Sequence, residues 1–332
     1  MIETGLPTTT LGRSGLEVTR MGFGLAALGR PAYITLGRDA DLGARRDRET
    51  MQQRCHHMLD AAYSAGIRYV DTARSYGRAE EFLASWLRAR RIAPGGLTVG
   101  SKWGYRYTGA WNMHAEVHES KDLSEAMFRD QLPWTKALLG PHLDLYQVHS
   151  ATLESGVLDD PAVLHALAEL GESGVAVGLT VSGPRQAEVV GHALEVDVDG
   201  VNPFSTVQAT WNVLESSVGP ALEEAHRRGW GVIVKEALAN GRLTGHGEHR
   251  ATGAVDEVAS RRGAAVDEVA IAAALGQPWA DVVLSGAVTP SQLESNLAAF
   301  ELPLTDEDRD ELVSGTEDPS TYWSRRSALP WQ

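Results

Sequence analysis

The stretch IRYVDTARSYG, residues 67–77, decides the fold. It begins with strand-forming residues, Ile67, Tyr69 and Val70, and ends that run on a carboxylate at Asp71. Small and charged residues then lead to a phenol at Tyr76, followed by Gly77. A strand that only completes a core needs neither the terminal acid nor the loop tyrosine. Both are expected where the C-terminal ends of parallel strands converge on one catalytic face.

Working outward, short β-branched runs alternate with helical patterns, the signature of parallel strands joined by crossover helices. Candidate strands end near Gly24, Asp71, Lys102, His149, Ser182, Gln208, Lys235 and Gly286. Between them lie apolar stripes such as Val163, Leu164, Leu167 and Leu170 in residues 160–172, opened by Asp160 as a cap and Pro161 in the first turn. Thr305, with Glu307 and Asp308 after it, marks the start of a C-terminal helix. Eight strands without a Pro/Ser-rich linker fit an α/β fold of one domain, a (β/α)8 TIM barrel over about residues 9–315. The stretch TLGRSGLEV, with Gly12 and Gly15 about a turn, reads as a hairpin before the first barrel strand. Residues 316–332 form an extended tail, expected to fold over the mouth. Its Tyr322, Trp323 and Trp331 either cover the mouth or serve self-association, and the lid is the favoured reading.

Composition narrows the function. The 332 residues carry 44 acidic against 30 basic side chains, a net charge of −14, with no basic block suited to tracking nucleic-acid phosphates. The single cysteine, Cys55, excludes an intramolecular disulfide framework and suits a reducing compartment. The first residues, MIETGLPTTT, lack a basic region followed by an apolar one, and no segment reads as a membrane span. The expected location is the cytoplasm and the expected partner a small molecule.

Asp71, Lys102 and His149 stand at or beside predicted strand ends, with Tyr76 five residues past the second strand. Singly, each has a bland reading, since an acid at a strand end is commonly a cap. Together, at one barrel mouth, they suit hydride transfer to a carbonyl. Reduction places negative charge on the carbonyl oxygen, which calls for aimed donors and one proton. Tyr76 can deliver that proton, Lys102 can lower the phenol's pKa, Asp71 can hold the lysine charged, and His149 can orient the oxygen. The loop 103–121 supplies Trp103, Tyr105, Tyr107 and Trp111 as candidate walls of a substrate pocket. Arg106, His114 and Arg325 are candidate polar tips, suited to an aromatic aldehyde, a sugar or a polyketide-like ketone.

In YVDTARSYG, VGSKWG and DLYQVHS the chain resembles the aldo-keto reductases, and the similarity extends from about Thr9 to Asn296. The resemblance implies a nicotinamide-dependent oxidoreductase reducing aldehydes or ketones, with the catalytic roles on Asp71, Tyr76, Lys102 and His149. GLTVSG matches the strand offering a serine to the carboxamide, here Ser182, and VQATWNVLE the strand offering a glutamine, here Gln208. It further implies a cofactor lying across the mouth, along Gly24, Leu238 and Asn296.

Three positions depart from the family pattern. Gly183 follows Ser182 where an asparagine is usual, and Lys235 falls where an aromatic ring is expected against the nicotinamide. The expected cations for an adenosine 2′-phosphate fall among Gly286, Val288 and Gln292, none of them charged. The resemblance implies NADP(H) as cofactor, with its preference weakened here and NAD(H) usable because those cations are absent, and Arg242 or a tail arginine is a candidate substitute for them. No metal is expected. Cys55, His56 and His57 are adjacent on a helix and diverge, and His114 and His118 flank Glu116 in a loop without the HExxH order. The alternatives are a sugar or alcohol dehydrogenase using the same residues oxidatively, and a cofactor-sensing regulatory subunit.

Overall fold

The computed structural model describes residues 5–247 and 253–332. A hairpin of β1 (Thr8–Thr10) and β2 (Glu17–Thr19) precedes the first barrel strand, β3 (Met21–Gly24). There follow β4 (Tyr69–Asp71), β5 (Thr98–Trp103), a small antiparallel pair of β6 (Tyr105–Tyr107) and β7 (Glu119–Lys121), then β8 (Leu145–Ala151) and β9 (Ala176–Val181). The last three strands are β10 (Thr206–Thr210), β11 (Gly231–Lys235) and β12 (Val282–Ser285). Strands β3, β4, β5, β8, β9, β10, β11 and β12 close into a parallel barrel in that order, the (β/α)8 arrangement expected from the eight strand ends.

Strand inward faces and helix stripes account for the packing. The helix Pro161–Glu172 buries Val163, Leu164, Leu167 and Leu170, and Asp160 caps it by accepting from the Ala162 and Val163 N–H groups. Thr305 and Asp308 form a reciprocal capping box at the start of helix Asp306–Ser314. The hairpin plugs the N-terminal end of the barrel, where its Leu11 and Val18 pack with Tyr69, Leu145, Ile233 and Val282 from four strands. Burying each such aliphatic side chain stabilises by about 1.5–3 kcal/mol. Gly12 makes this close approach possible: its φ is +49°, and a Cβ there would lie 2.2 Å from the Gly231 nitrogen.

The tail is ordered against the opposite end. Helix Pro319–Ser327 buries Tyr322 and Trp323, and Trp331 bridges Ile34 in antiparallel fashion. Tyr322 Oη accepts from Asn212 Nδ2 at 2.9 Å, which ties the tail to the loop after β10. Among the described residues no helix is long and apolar enough to cross a membrane.

Candidate active site

Strand register builds the centre of the site. Asp71 pairs with Gly100, so Lys102, two residues on and on the same face of β5, reaches Asp71. Lys102 Nζ donates to Asp71 Oδ1, to the Thr72 carbonyl at 2.9 Å and to Tyr76 Oη at 3.4 Å. The other carboxylate oxygen, Asp71 Oδ2, accepts from Gln208 Nε2 at 2.9 Å, Tyr69 Oη at 3.3 Å and Gln147 Nε2 at 3.5 Å. Asp71 is thus fixed from strands β4, β5, β8 and β10 together.

Tyr76 owes its place to two glycines. Gly77 has φ +62° and a Cβ there would meet the Gly29 carbonyl at 2.4 Å, while a Cβ on Gly29 would lie 2.2 Å from the Tyr76 carbonyl. The loop after β3 therefore packs directly on the turn carrying the phenol. His149 enters the same space from β8, where the pairing with β9 shifts between Val148 and Ala151 and Ser150 adopts a left-handed φ of 54°. That bulge turns the strand end toward the mouth. The rings of Tyr76 and His149 meet edge to face with centroids 5.5 Å apart, and Tyr105 lies 4.9 Å from His149.

The electrostatics assign protonation states. Burial, reinforced by the Asp71 charge, pushes the Tyr76 phenol well above 10, against a smaller lowering from Arg30. The sequence predicts a phenol lowered by Lys102; in this state burial and Asp71 raise it instead, and the cation that lowers it is Arg30. Burial lowers the pKa of Lys102, and Asp71 partly offsets the effect. Burial and then the cations Lys102, Arg30, Lys235 and Lys121 hold the His149 imidazolium well below its ordinary pKa, so the ring is neutral at physiological pH. Ser75 Oγ lies 3.5 Å from His149 Nδ1 and holds that edge of the ring, leaving Nε2 as its other polar atom.

These groups form one end of a cleft of about 580 Å³. Its lining continues past Gly24, Ser182, Gln208, Lys235 and Leu238 to Gly286, Val288, Gln292 and Asn296, beside the first turns of helix Pro290–Ala298. A hydride-exchanging dinucleotide needs a reactive end at the proton donor and polar donors toward a helix N-terminus for phosphate, and this cleft offers both. At the far end Gln292 Nε2 donates to Asp41 Oδ2 at 2.7 Å and its Oε1 accepts from the Val288 N–H at 2.9 Å. Asn296 Oδ1 accepts from Ser285 Oγ at 2.7 Å.

The family model for the "Aldo/keto reductase family" matches residues 20–315. The chain belongs to the aldo/keto reductase family. It is a nicotinamide-dependent oxidoreductase interconverting carbonyl compounds and alcohols. It is 26% identical to L-galactose dehydrogenase of Arabidopsis thaliana over 310 residues, covering 89% of this chain and 88% of that protein. It is also 26% identical to pyridoxal 4-dehydrogenase of Microbacterium luteolum, covering 90% of this chain and 94% of that one. The holo form of aldo-keto reductase AKR11C1 from Bacillus halodurans shares the fold with a TM-score of 0.71 at 21% identity, over 94% of this chain and 97% of that chain.

Several expected contacts of this aldo/keto reductase fall elsewhere. Trp103 is fully buried and packs edge-on against Phe128 at 5.1 Å, because its place on β5 turns it outward to the helix layer. Trp111 and Tyr107 do not line the cleft either: Trp111 Nε1 donates to the Arg46 carbonyl at 2.8 Å and its N–H to Tyr107 Oη at 3.1 Å. Of the four aromatic candidates only Tyr105 faces the cleft. Arg242 is buried against Glu317, which also holds Arg325 at 2.7 Å, so neither arginine faces the cleft. Arg106 pairs with Asp130 at 2.9 Å on the surface. Cys55 is buried while His56 Nε2 contacts Ser85 Oγ at 2.8 Å, the divergence expected of adjacent helical positions.

Sequence reasoning missed the charged rim. Arg30 pairs with Glu119 at 2.6 Å and lies about equally over the rings of Tyr33, Tyr76 and Trp331, at 5.0, 5.2 and 5.1 Å. Arg326 of the tail grips Glu236 at 2.5 and 3.1 Å. Burial alone would raise the Glu236 pKa, but Arg326 and Lys235 bring it down to about 2. Lys121 Nζ donates to the Ser150 carbonyl at 2.7 Å beside His149. The signals were loop length, in residues 26–48 and 103–121, and the unbroken charge pair Lys235-Glu236 at a strand end.

Proposed function

We propose that this protein exchanges a hydride between NAD(H) and a small hydroxylated aldehyde or ketone, with Tyr76 as proton donor in the reductive direction. The observation that carries the reading is the chain Asp71–Lys102–Tyr76, closed by hydrogen bonds beside a neutral His149. When bound, the nicotinamide supplies or accepts the hydride. The protein's residues do the rest. His149 Nε2–H orients the carbonyl oxygen, and the Tyr76 O–H bond breaks as its proton passes to that oxygen. The resulting phenolate sits 3.4 Å from the Lys102 ammonium and under the Arg30 guanidinium, so its charge is met without reorganisation. In the oxidative direction the same groups act in reverse.

The choice of NAD(H) rests on the far end of the cleft. Gly286, Val288 and Gln292 carry no charge, Gln292 is engaged by the Asp41 carboxylate, and Arg242 is committed to Glu317. A 2′-phosphate there would meet an anion instead of a guanidinium. The substrate class rests on the mouth, where Tyr105 and Trp331 stand beside the ion pairs Arg30–Glu119 and Arg326–Glu236, donors and acceptors suited to hydroxyl groups. The buried free thiol of Cys55 fits the cytoplasm.

The test is the Tyr76→Phe variant assayed with NADH and a panel of hydroxylated and aromatic aldehydes. Turnover is expected to fall about 10²–10⁴-fold with cofactor binding retained. Full turnover in the variant would overturn the mechanism, and a hundredfold tighter titration by NADPH than by NADH would overturn the cofactor assignment.

A further inference from the structure

Lys235 ends β11 with an ammonium that has no carboxylate within ion-pair distance among the described residues. Its Nζ donates to Thr210 Oγ1 at 2.7 Å and to Ser182 Oγ at 3.2 Å, and lies 5.9 Å from the Trp323 ring. The neighbouring Glu236 is gripped by Arg326 and reaches Lys235 only through Thr210, whose hydroxyl donates to Glu236 Oε2 at 3.3 Å, and Glu236 has a left-handed φ of 56°. An ammonium served only by two hydroxyls costs the fold, and the left-handed non-glycine residue beside it adds about 1–3 kcal/mol. The group nevertheless faces the cleft.

Its position along the cleft gives this meaning. Ser182 Oγ donates to Ser150 Oγ at 3.2 Å, Ser150 follows His149 in β8, and the Lys235 charge acts on the His149 imidazole. Hydride transfer requires the reactive ring of the cofactor to touch a carbonyl held by Tyr76 and His149. Within this cleft that ring must then lie beside Ser182 and Lys235. The oxidised nicotinamide ring is a cation and the reduced ring is neutral. An ammonium beside it repels one and not the other.

We propose that Lys235 is a specificity-determining residue for the redox state of the cofactor, making this site bind NADH in preference to NAD+ and so easing hydride acceptance by the bound cofactor. This rests on the hydride-transfer reading above. Reciprocity then applies: NAD+ must favour the neutral amine of Lys235 and release its proton, while NADH releases none. Burial already takes the Lys235 ammonium down to about 8, partly offset by Glu236. NAD+ affinity should therefore rise as pH increases toward about 8 and level off above it. The charged groups facing Lys235 are Glu236 on its own chain segment, Arg326 from the tail helix, Lys102 from β5, Asp71 from β4 and the neutral His149 from β8.

The experiment is calorimetric titration of the full chain with NAD+ and NADH, and in parallel with the 2′-phosphorylated pair, from pH 6.5 to 9 in buffers of different ionisation enthalpy. Wild type, Lys235→Met and Lys235→Arg are compared. In the wild type the ratio of the NAD+ to the NADH dissociation constant is expected to fall at least tenfold across this range, since a charge interaction several ångströms long at an effective dielectric near 20 exceeds a factor of ten. Proton release is expected on NAD+ binding only. Lys235→Met should show the low ratio at every pH without proton release, and Lys235→Arg the high ratio at every pH. A wild-type ratio independent of pH, or one unchanged in Lys235→Met, overturns the inference and leaves the hydride-transfer reading standing. Failure of all four nucleotides to bind the wild type overturns both.

Discussion

Replacing Asp71 with asparagine tests the electrostatic centre of the site. Both members of the Asp71–Lys102 pair are buried, with side-chain exposures of 3% and 1%. The variant keeps the shape but leaves an ammonium in the barrel with neutral acceptors alone, the new amide oxygen, the Thr72 carbonyl and the Tyr76 hydroxyl. Removing one partner of a buried pair costs about 3–5 kcal/mol. With an unfolding entropy of about 2.1 cal/mol/K per residue, a 332-residue chain gives about 0.7 kcal/mol/K, so the loss corresponds to about 4–7 °C in Tm. Thermal unfolding followed by circular dichroism at pH 6 reads this directly.

The pH dependence separates this cause from loss of hydrogen bonds. The folded-state pKa of Lys102 already lies below its ordinary value. Its ionisation thus costs the folded state at low pH, and stability rises with pH until the unfolded value of about 10.4 is reached. In Asp71→Asn the folded pKa falls further, so the variant sheds the Lys102 proton earlier and its deficit against the wild type shrinks as pH rises. Lys102→Met in the same chain removes the stranded charge and should recover most of the loss. A deficit that is constant from pH 6 to 9, or a double variant no more stable than Asp71→Asn, would refute the assignment of Asp71 as the lysine's counter-ion.

Three further outcomes are expected. Asp41→Ser combined with Gln292→Arg should tighten NADPH binding at least tenfold, read by fluorescence titration, because a cation replaces an anion where a 2′-phosphate would lie. With His149 neutral because its pKa is held well below 6.5, kcat in the reductive direction should show no step near pH 6–7, and a rate that falls through that interval in the wild type but not in His149→Asn would contradict this. Glu236 has its folded pKa depressed to about 2, so the Arg326–Glu236 pair contributes stability above the unfolded pKa of about 4.3 that is lost as pH falls toward 2. Arg326→Met should accordingly lower Tm at pH 7 by more than at pH 3.

The barrel was legible because four of its strands reach the mouth on a residue that strand propensity does not explain. Asp71, Lys102, His149 and Lys235 interrupt apolar runs just where β4, β5, β8 and β11 reach the mouth, and the helical stripes between them have a period that residues 160–172 state plainly. The hairpin was legible from Gly12 and Gly15 for the same local reason, since a left-handed turn needs them. Loop aromatics were a poorer guide. Whether Trp103 faces the cleft or the helix layer depends on which side of β5 it leaves, and its burial against Phe128 is a contact across 25 residues of sequence that no local pattern announces.

The charged rim was hidden for a different reason. Arg30, Glu119, Glu236 and Arg326 come from four segments, and their meaning lies in how they pair: Arg30 with Glu119 joins the loop after β3 to β7, and Arg326 with Glu236 joins the tail to the end of β11. In sequence each is an ordinary surface charge. In the fold these pairs leave the Lys235 ammonium sharing its nearest carboxylate, Glu236, with the tail's Arg326 and without a direct ion pair of its own among the described residues. The two halves of the site therefore differ in what maintains them. The Asp71–Lys102 pair is fixed by neighbouring barrel strands, and its charge balance should survive loss of the tail. The charge on Lys235 depends on Arg326, so displacing the tail would free Glu236 to turn back to the ammonium and weaken its repulsion of a cationic ring. Arg326→Met should consequently move the NAD+ to NADH affinity ratio in the same direction as Lys235→Met, a coupling that a merely structural tail would not produce.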